Sequence, residues 1–256
     1  MTDIPRTFRF DDGLEVNRIG YGAMRLTGQP RNFGPYPDWA GGIALLRRAA
    51  DLGVDLFDSA WAYGPEDADR LLGEALEGRD VAIATKGGVT KTADAVVTDG
   101  RPETLHRQIE RALVNLRRER IDLYQLHRVD PDVPIEDSVG AILDARAAGK
   151  VRHVGLSNVD REQVDRARAT GPVAAIQNRF NRDDTDDDAL VDFAAGAGIA
   201  FLPHGPLGAN PMKQGAALPP AEALAWLLRR SPNVVVIPGT TSVAHLEENV
   251  RAWEAV

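Results

Sequence analysis

An aspartate, Asp58, closes the short apolar run that starts at Leu56, and five residues later Tyr63 stands immediately before Gly64. An acid at a strand tip and a phenol on the following loop can face one space, an arrangement that serves proton transfer. Lys86, ending VAIATK, and His127, ending LYQLH, add an ammonium and an imidazole. An unperturbed phenol titrates near ~10, too weak an acid to protonate an alkoxide well at neutral pH. A neighbouring ammonium favours the phenolate, so Lys86 is expected to lower the Tyr63 pKa while Asp58 keeps Lys86 charged and in place. His127 can then donate a hydrogen bond to a carbonyl oxygen, and the set describes carbonyl reduction. Taken singly, each residue also has a packing explanation: Asp58 as a loop-bracing acid, Lys86 as a solvated strand end, His127 as a bonded core histidine, Gln177 as a satisfied buried amide. Several such groups at one mouth are harder to explain by packing, because a buried lysine needs a paired charge.

The elements that must position these residues form a regular alternation. TFRF, DDG and LEV read as an opening hairpin, since Asp-Gly between alternating residues marks a turn. Strand-like runs then appear at 18–24, 56–60, 81–86, 123–127, 151–158, 174–180, 199–205 and 234–240. Helical patterns lie between them and after the last; in ETLHRQIERALVNLR, Leu105, Ile109, Ala112, Leu113 and Leu116 make one stripe. Gly53, Gly149 and Gly198 sit where a left-handed helix cap is needed. Eight strand–helix units with short connections predict a (β/α)8 TIM barrel, α/β in class, with the N-terminal hairpin as a cap and residues 1–256 as a single domain. A doubly wound sheet is the rival, but GYGAMR supplies G-x-G without the third glycine of a Rossmann loop. In a barrel, strand C-termini converge on one mouth, which collects Asp58, Lys86, His127, Ser157, Asn158 and Gln177.

Composition narrows the class. The 256 residues contain no cysteine, which removes disulfides, thiolate metal sites and a cysteine nucleophile, and suits a reducing compartment. No run approaches the ~18 apolar residues of a membrane span, and the first ten residues lack a signal-peptide core, so a cytoplasmic location is expected. A formal net charge of −8 argues against a nucleic-acid surface. The acids between Asp183 and Asp188 read as a solvated loop leading into a helix N-terminus, and no metal site is expected. Charge does not decide the oligomeric state.

DSAWAYG, ATKGG, LYQLHRVDP, VGLSN, IQNRFN and IPGTTSVAHLEEN, in this order and spacing, resemble the successive signatures of the aldo-keto reductase family over nearly the whole chain. The resemblance implies an NADPH- or NADH-dependent barrel reducing a small-molecule carbonyl. Its catalytic tetrad would be Asp58, Tyr63, Lys86 and His127, with the tyrosine as general acid. It further implies that Ser157, Asn158 and Gln177 hold the nicotinamide carboxamide, which suits groups that both donate and accept. His204, before Gly205, Pro206 and Leu207, replaces the tyrosine that stacks on the nicotinamide in many relatives. Many NADPH-dependent relatives carry a lysine at Gly239 and an arginine at His245; here both cations are missing. Gly239, Thr240, Thr241 and Ser242 still offer backbone amides and hydroxyls to a phosphate at the start of the last helix, which also carries Asn249. NADPH is the expected cofactor, with NADH as the alternative.

The opening NRIGYGAMRLTG with a nearby FGP is similar to bacterial members assigned to pyridoxal reduction. The chain ends at Val256, whereas relatives continue with a segment that helps close the pocket, so an open pocket is expected. Its apolar lining would come from Met24 to Trp39, from Trp61 and from the 206–220 loop, whose Gly, Pro and Ala content suggests mobility. Two other functions use the same residues: a barrel lyase or aldolase forming a Schiff base at Lys86, and a nicotinamide-binding redox sensor or regulatory subunit with little turnover.

Overall fold

A computed structural model describes residues 4–92, 94–208 and 219–256. The central residues of the 206–220 loop lie outside this set.

The expected hairpin is present: β1 (Thr7–Arg9) pairs antiparallel with β2 (Glu15–Asn17), Phe8 opposite Val16. β3 (Tyr21–Gly22), β4 (Leu56–Asp58) and β5 (Ala82–Gly87) then begin a parallel sheet. An antiparallel ribbon, β6 (Val89–Lys91) with β7 (Val96–Thr98), interrupts it in sequence. The sheet resumes with β8 (Ile121–Leu126), β9 (Val151–Ser157), β10 (Ala175–Gln177) and β11 (Ala200–Phe201), so that the parallel strands neighbour one another in chain order. The eighth stretch closes the ring through single parallel bridges, Phe201 to Val234 on one side and Ile19 to Val236 on the other. Val235 N–H donates to Phe201 O at 2.9 Å and Val236 N–H to Arg18 O at 2.9 Å, completing the (β/α)8 barrel. Pro238 ends this last stretch, since proline cannot donate to a ladder.

Helices cover the outside: α1 (Trp39–Asp51), α2 (Asp67–Leu76), α3 (Pro102–Leu116), α4 (Ile135–Ala147), α5 (Arg161–Thr170), α6 (Asp188–Gly196), α7 (Pro220–Arg230) and α8 (Val243–Val250). The predicted α3 stripe buries Leu105, Ile109, Ala112 and Leu116, each large side chain contributing about 1.5–3 kcal/mol, whereas Leu113 is only half-buried. α5 starts with a full capping box, Asp160 accepting from Gln163 N–H while the Gln163 side chain accepts from Asp160 N–H. Among the described residues no helix is long and apolar enough to cross a membrane.

Side chains alternate across a strand, so every second residue points into the barrel. Leu56, Ala82, Ala84, Leu123, Ala175, Ala200, Leu202, Val235 and Ile237 form the interior cluster, and Phe8, Phe10 and Val16 of the hairpin join it. The hairpin thus plugs one end. It is tied there by Asn17 N–H to Asp55 Oδ1 at 2.8 Å, just before β4, and by Asp12 to His153 at 3.1 Å. Continuing the interior alternation toward the other end reaches Asp58, Lys86, Gln125 and His127, Ser157, Gln177, His204 and Gly239.

The ribbon β6–β7 has no counterpart among the strands expected from the sequence, because its two three-residue strands leave Val96 and Val97 exposed and show no buried alternation. The acidic run leads into α6 as a solvated loop, with Asp183, Asp186 and Asp188 exposed, and three of its acids also have partners. Asp184 pairs with Arg179 at 2.6 Å, Asp187 accepts from Asn178 at 2.7 Å, and Asp188 pairs with Arg230 at 2.6 Å.

Candidate functional site

Lys86 ends the interior row of β5, and its side chain has no exposed surface. A buried ammonium needs compensating charge, and Asp58 on the neighbouring strand provides it at 2.6 Å from Nζ to Oδ2, with Ser59 O accepting at 2.7 Å. The other carboxylate oxygen, Oδ1, accepts from Gln177 Nε2 at 2.9 Å and from Gln125 Nε2 at 3.2 Å. Register explains this ring of contacts: Lys86 lies opposite Gln125 and Gln177 opposite Ser157. Burial alone disfavours the Lys86 ammonium, but Asp58 and Tyr63 outweigh it, and the group titrates above its ordinary range.

Tyr63, on the loop after β4, is placed with Lys86 Nζ 5.2 Å from its ring centroid. The expected lowering of its pKa is not the net result. Burial pushes the phenol up, and although Lys86 pulls the other way, Asp58 and Asp69 add to the rise. The phenol is held in its neutral, protonated form. His127 meets Tyr63 edge to face, ring centroids 5.9 Å apart at 85°. Among the described residues its buried Nδ1 has no hydrogen-bond partner. Burial, then the charges of Lys86 and Arg128, hold its pKa well below the usual imidazole range, so it is neutral at physiological pH.

Asn158 follows β9 with φ of 57°, a left-handed conformation that asparagine tolerates better than most residues. Its Nδ2 donates to His127 O and to Ser157 Oγ, both at 3.0 Å, and its Oδ1 lies 3.1 Å from His204 Nε2. Burial, Lys86 and Arg179 bring His204 down to about 4, so this imidazole is also neutral.

A cleft of about 270 Å³ opens above these groups. Of the residues singled out in the sequence, Asp58, Tyr63, Gln177, His204, Gly205, Leu207 and Gly239 line it, together with Met24 and Arg25 from the loop after β3. Lys86 and Ser157 stand behind it, buried. Thr240, Thr241, Ser242, His245 and Asn249 lie off the cleft. Ser242 caps α8 through His245 N–H, and Asn249 is buried within it. Trp61 also stands off the cleft, its indole N–H buried and, among the described residues, unpartnered.

Sequence reasoning missed Gln125 and Asp69. Gln125 carries a readable signal, a polar residue two before His127 and so on the same face of an apolar strand. Asp69 carries none: it lies on α2, fully buried, accepting from Thr85 Oγ1 at 3.0 Å. The set as a whole can give a proton to an oxygen, neutralise the phenolate left behind, and hold an amide with mixed donors and acceptors.

Residues 18–221 match the Aldo/keto reductase family. Pyridoxine 4-dehydrogenase of Escherichia coli is 40% identical over 256 residues, covering 93% of this chain and 89% of that protein. An uncharacterised oxidoreductase of Schizosaccharomyces pombe is 38% identical over 252 residues, covering 93% and 82%. Among solved structures, a glycerol dehydrogenase from Gluconobacter oxydans superposes with a TM-score of 0.86 at 23% identity, over 97% of this chain and 90% of that one, a likeness of fold. A thermostable aldo-keto reductase solved with the inhibitor epalrestat gives a TM-score of 0.82 at 26% identity, over 97% and 94%. With a family match running from the first barrel strand into α7, and relatives this similar along nearly their full length, the chain belongs to the aldo/keto reductase family.

Proposed function

We propose that this aldo/keto reductase reduces an aldehyde or ketone to the alcohol, with Tyr63 giving the proton and Asp58, Lys86 and His127 assisting it. The observation that carries this reading is the Lys86 ammonium, buried between Asp58 at 2.6 Å and the Tyr63 ring. As negative charge develops on the substrate oxygen, the Tyr63 hydroxyl releases its proton toward it, and Lys86 stabilises the phenolate. His127, neutral, donates a hydrogen bond to the same oxygen without competing to protonate it. The nicotinamide cofactor, when bound, supplies the hydride.

The chain's residues fit that cofactor. Ser157, Asn158 and Gln177 present an amide-matching set: Gln177 Nε2 is engaged by Asp58, and among the described residues nothing bonds its Oε1. Asp58 thereby touches both the amide that would hold the cofactor and the lysine that serves the proton donor. The His204 ring lines the same cleft. Two solved structures of Klebsiella pneumoniae aldo-keto reductases, at 23% and 22% identity, contain NADP and NADPH, and NADPH is the proposed cofactor here. A pyridoxal-type aldehyde is the proposed substrate, on the strength of the 40% identity to pyridoxine 4-dehydrogenase. We further propose that the chain acts as one barrel unit in the cytoplasm.

A Schiff base at Lys86 is disfavoured, because a nucleophilic amine must lose its proton and Asp58 raises the cost of doing so. Fluorescence titration with NADPH and NADH tests the cofactor, and Tyr63→Phe tests the donor. The variant is expected to lose about 10²- to 10⁴-fold in turnover with cofactor affinity nearly unchanged. Wild-type turnover in Tyr63→Phe would discard the assignment. Assay of pyridoxal beside simple aldehydes tests the substrate, and equal or faster turnover of the simple aldehydes counts against it.

A further inference from the structure

We infer that Gln125 is a positioning residue that couples the proton-donating groups to the cofactor through one buried amide. This rests on the donor assignment and the cofactor reading above. Gln125 Nε2 donates to Asp58 Oδ1 at 3.2 Å, and Gln125 Oε1 accepts from Gln177 Nε2 at 3.5 Å. Gln177 Nε2 also donates to the same Asp58 oxygen, at 2.9 Å, so three side chains from β4, β8 and β10 close a ring of hydrogen bonds. The ring settles two orientations. Two donors on Oδ1 leave Oδ2 of Asp58 directed at Lys86. Two acceptors around Gln177 Nε2 turn Gln177 Oε1 away from the ring, and that oxygen is the end the cofactor reading gives to the nicotinamide carboxamide.

Packing around Gln125 is arranged for the same purpose. The residue is completely buried in the interior row, opposite Lys86 on β5 and Gly155 on β9. A Cβ built on Gly155 would fall 2.7 Å from Gln125 Cγ and 3.1 Å from Leu123 Cδ1. Cγ belongs to the stem of the glutamine and not to its free end, so the missing side chain at 155 is what admits Gln125. A buried amide is unfavourable unless it is bonded. A leucine, as at position 123 on the same strand face, would fill an apolar interior without that penalty. The bonds to Asp58 and Gln177 are what the glutamine adds.

The test compares wild type, Gln125→Met and Gln125→Glu. Cofactor affinity is read by fluorescence titration with the tighter-binding of NADPH and NADH, and turnover with that cofactor and the faster of pyridoxal and benzaldehyde. Melting curves fix the folded fraction under each assay condition. Gln125→Met keeps the stem and removes both bonds. Turnover is expected to fall about 10- to 100-fold, the scale of a lost bond to a charged group, and cofactor affinity about 3- to 10-fold, the scale of a neutral one. A packing role alone would lower stability and leave both quantities of the folded enzyme unchanged, so values within twofold of wild type overturn the inference and leave the proposed function intact. A loss in only one of the two also overturns it, because the coupling is then absent. Gln125→Glu decides the matter if the methionine variant does not fold. Its protonated carboxyl offers Asp58 an O–H in place of the amide N–H, whereas its ionised form repels Asp58. The titratable groups of this layer are Asp58 on β4, Tyr63 after it, Lys86 on β5 and His127 after β8, and wild type and variant share them all. Turnover of the glutamate variant relative to wild type should therefore be highest at about pH 5 and fall toward about pH 8. A ratio that stays flat overturns the inference. Failure of the wild type to bind either cofactor, or to reduce either aldehyde, overturns the proposed function and this inference together.

Discussion

Asp58 divides its two oxygens between tasks, Oδ2 holding the ammonium of Lys86 and Oδ1 accepting two amide donors. A second acid lies behind this pair. Asp69 is fully buried, bonded to Thr85, and burial pushes its carboxyl up to about 6 despite the opposing pull of its hydrogen bonds and of Lys86. Because the folded protein holds this proton more tightly than the unfolded chain does, the associated stability is complete below about pH 4 and lost as pH rises through about 6. Asp69→Asn keeps an oxygen for Thr85 and cannot ionise. Its stability relative to wild type should therefore improve between pH 5 and 7.5, by on the order of 1 kcal/mol. Parallel melting curves at the two pH values check this, and a constant difference would mean that Asp69 does not titrate in that window.

At the scale of elements, the tyrosine loop depends on how closely α2 approaches α3. Gly73 faces α3 so tightly that a Cβ there would fall 2.1 Å from Asn115 O and 2.8 Å from Leu116 Cα. Glu66, just before α2, fixes the same contact by accepting from Arg111 at 2.7 Å and Asn115 at 2.8 Å. Gly73→Val must push the helices apart, and about 2 kcal/mol or more of stability should be lost, measured by urea denaturation. The Tyr63 loop leads directly into α2, so turnover should fall further than stability alone explains. Unchanged stability would show that the two helices can separate freely.

The whole molecule depends on closing a ring whose last strand is barely a strand. Arg18, completely buried and, among the described residues, without an acidic partner, holds the closure through carbonyls: Nε to Val234 O at 2.8 Å, Nη1 to Pro5 O at 2.8 Å, and Nη2 to Leu228 O at 2.8 Å and Ser231 O at 2.5 Å. Leu228 belongs to the last turn of α7, where the helix dipole favours a cation. One guanidinium fork thus joins the N-terminal segment, the first barrel strand, α7 and the closing stretch. A lysine ammonium cannot span those acceptors, so Arg18→Lys should cost about 2–4 kcal/mol in unfolding free energy despite keeping the charge. A cost below about 0.5 kcal/mol would show that the bridges from Ile19 and Phe201 suffice to close the barrel.

The barrel, its eight units and the mouth were legible because the information is local. Alternation with period two assigns the inward face of each strand, apolar spacing marks each helix, and Gly53, Gly149 and Gly198 do take positive φ just beyond their helices. Extending each inward row to its last residue then finds Asp58, Lys86, His127 and Gln177 without coordinates. Closure of the ring decided the rest, since distances across strands and the depth of burial are properties of the assembled barrel. It set Gln125 and Gln177 on one oxygen of Asp58, and it buried Asp69 on a helix that reads as an ordinary amphipathic surface. It also reversed the net effect on Tyr63, because desolvation, which no spacing in the sequence reports, outweighs the neighbouring ammonium. Finally, it brought Arg25 beside Gly239, two residues far apart in the chain that meet only because the first strand neighbours the last.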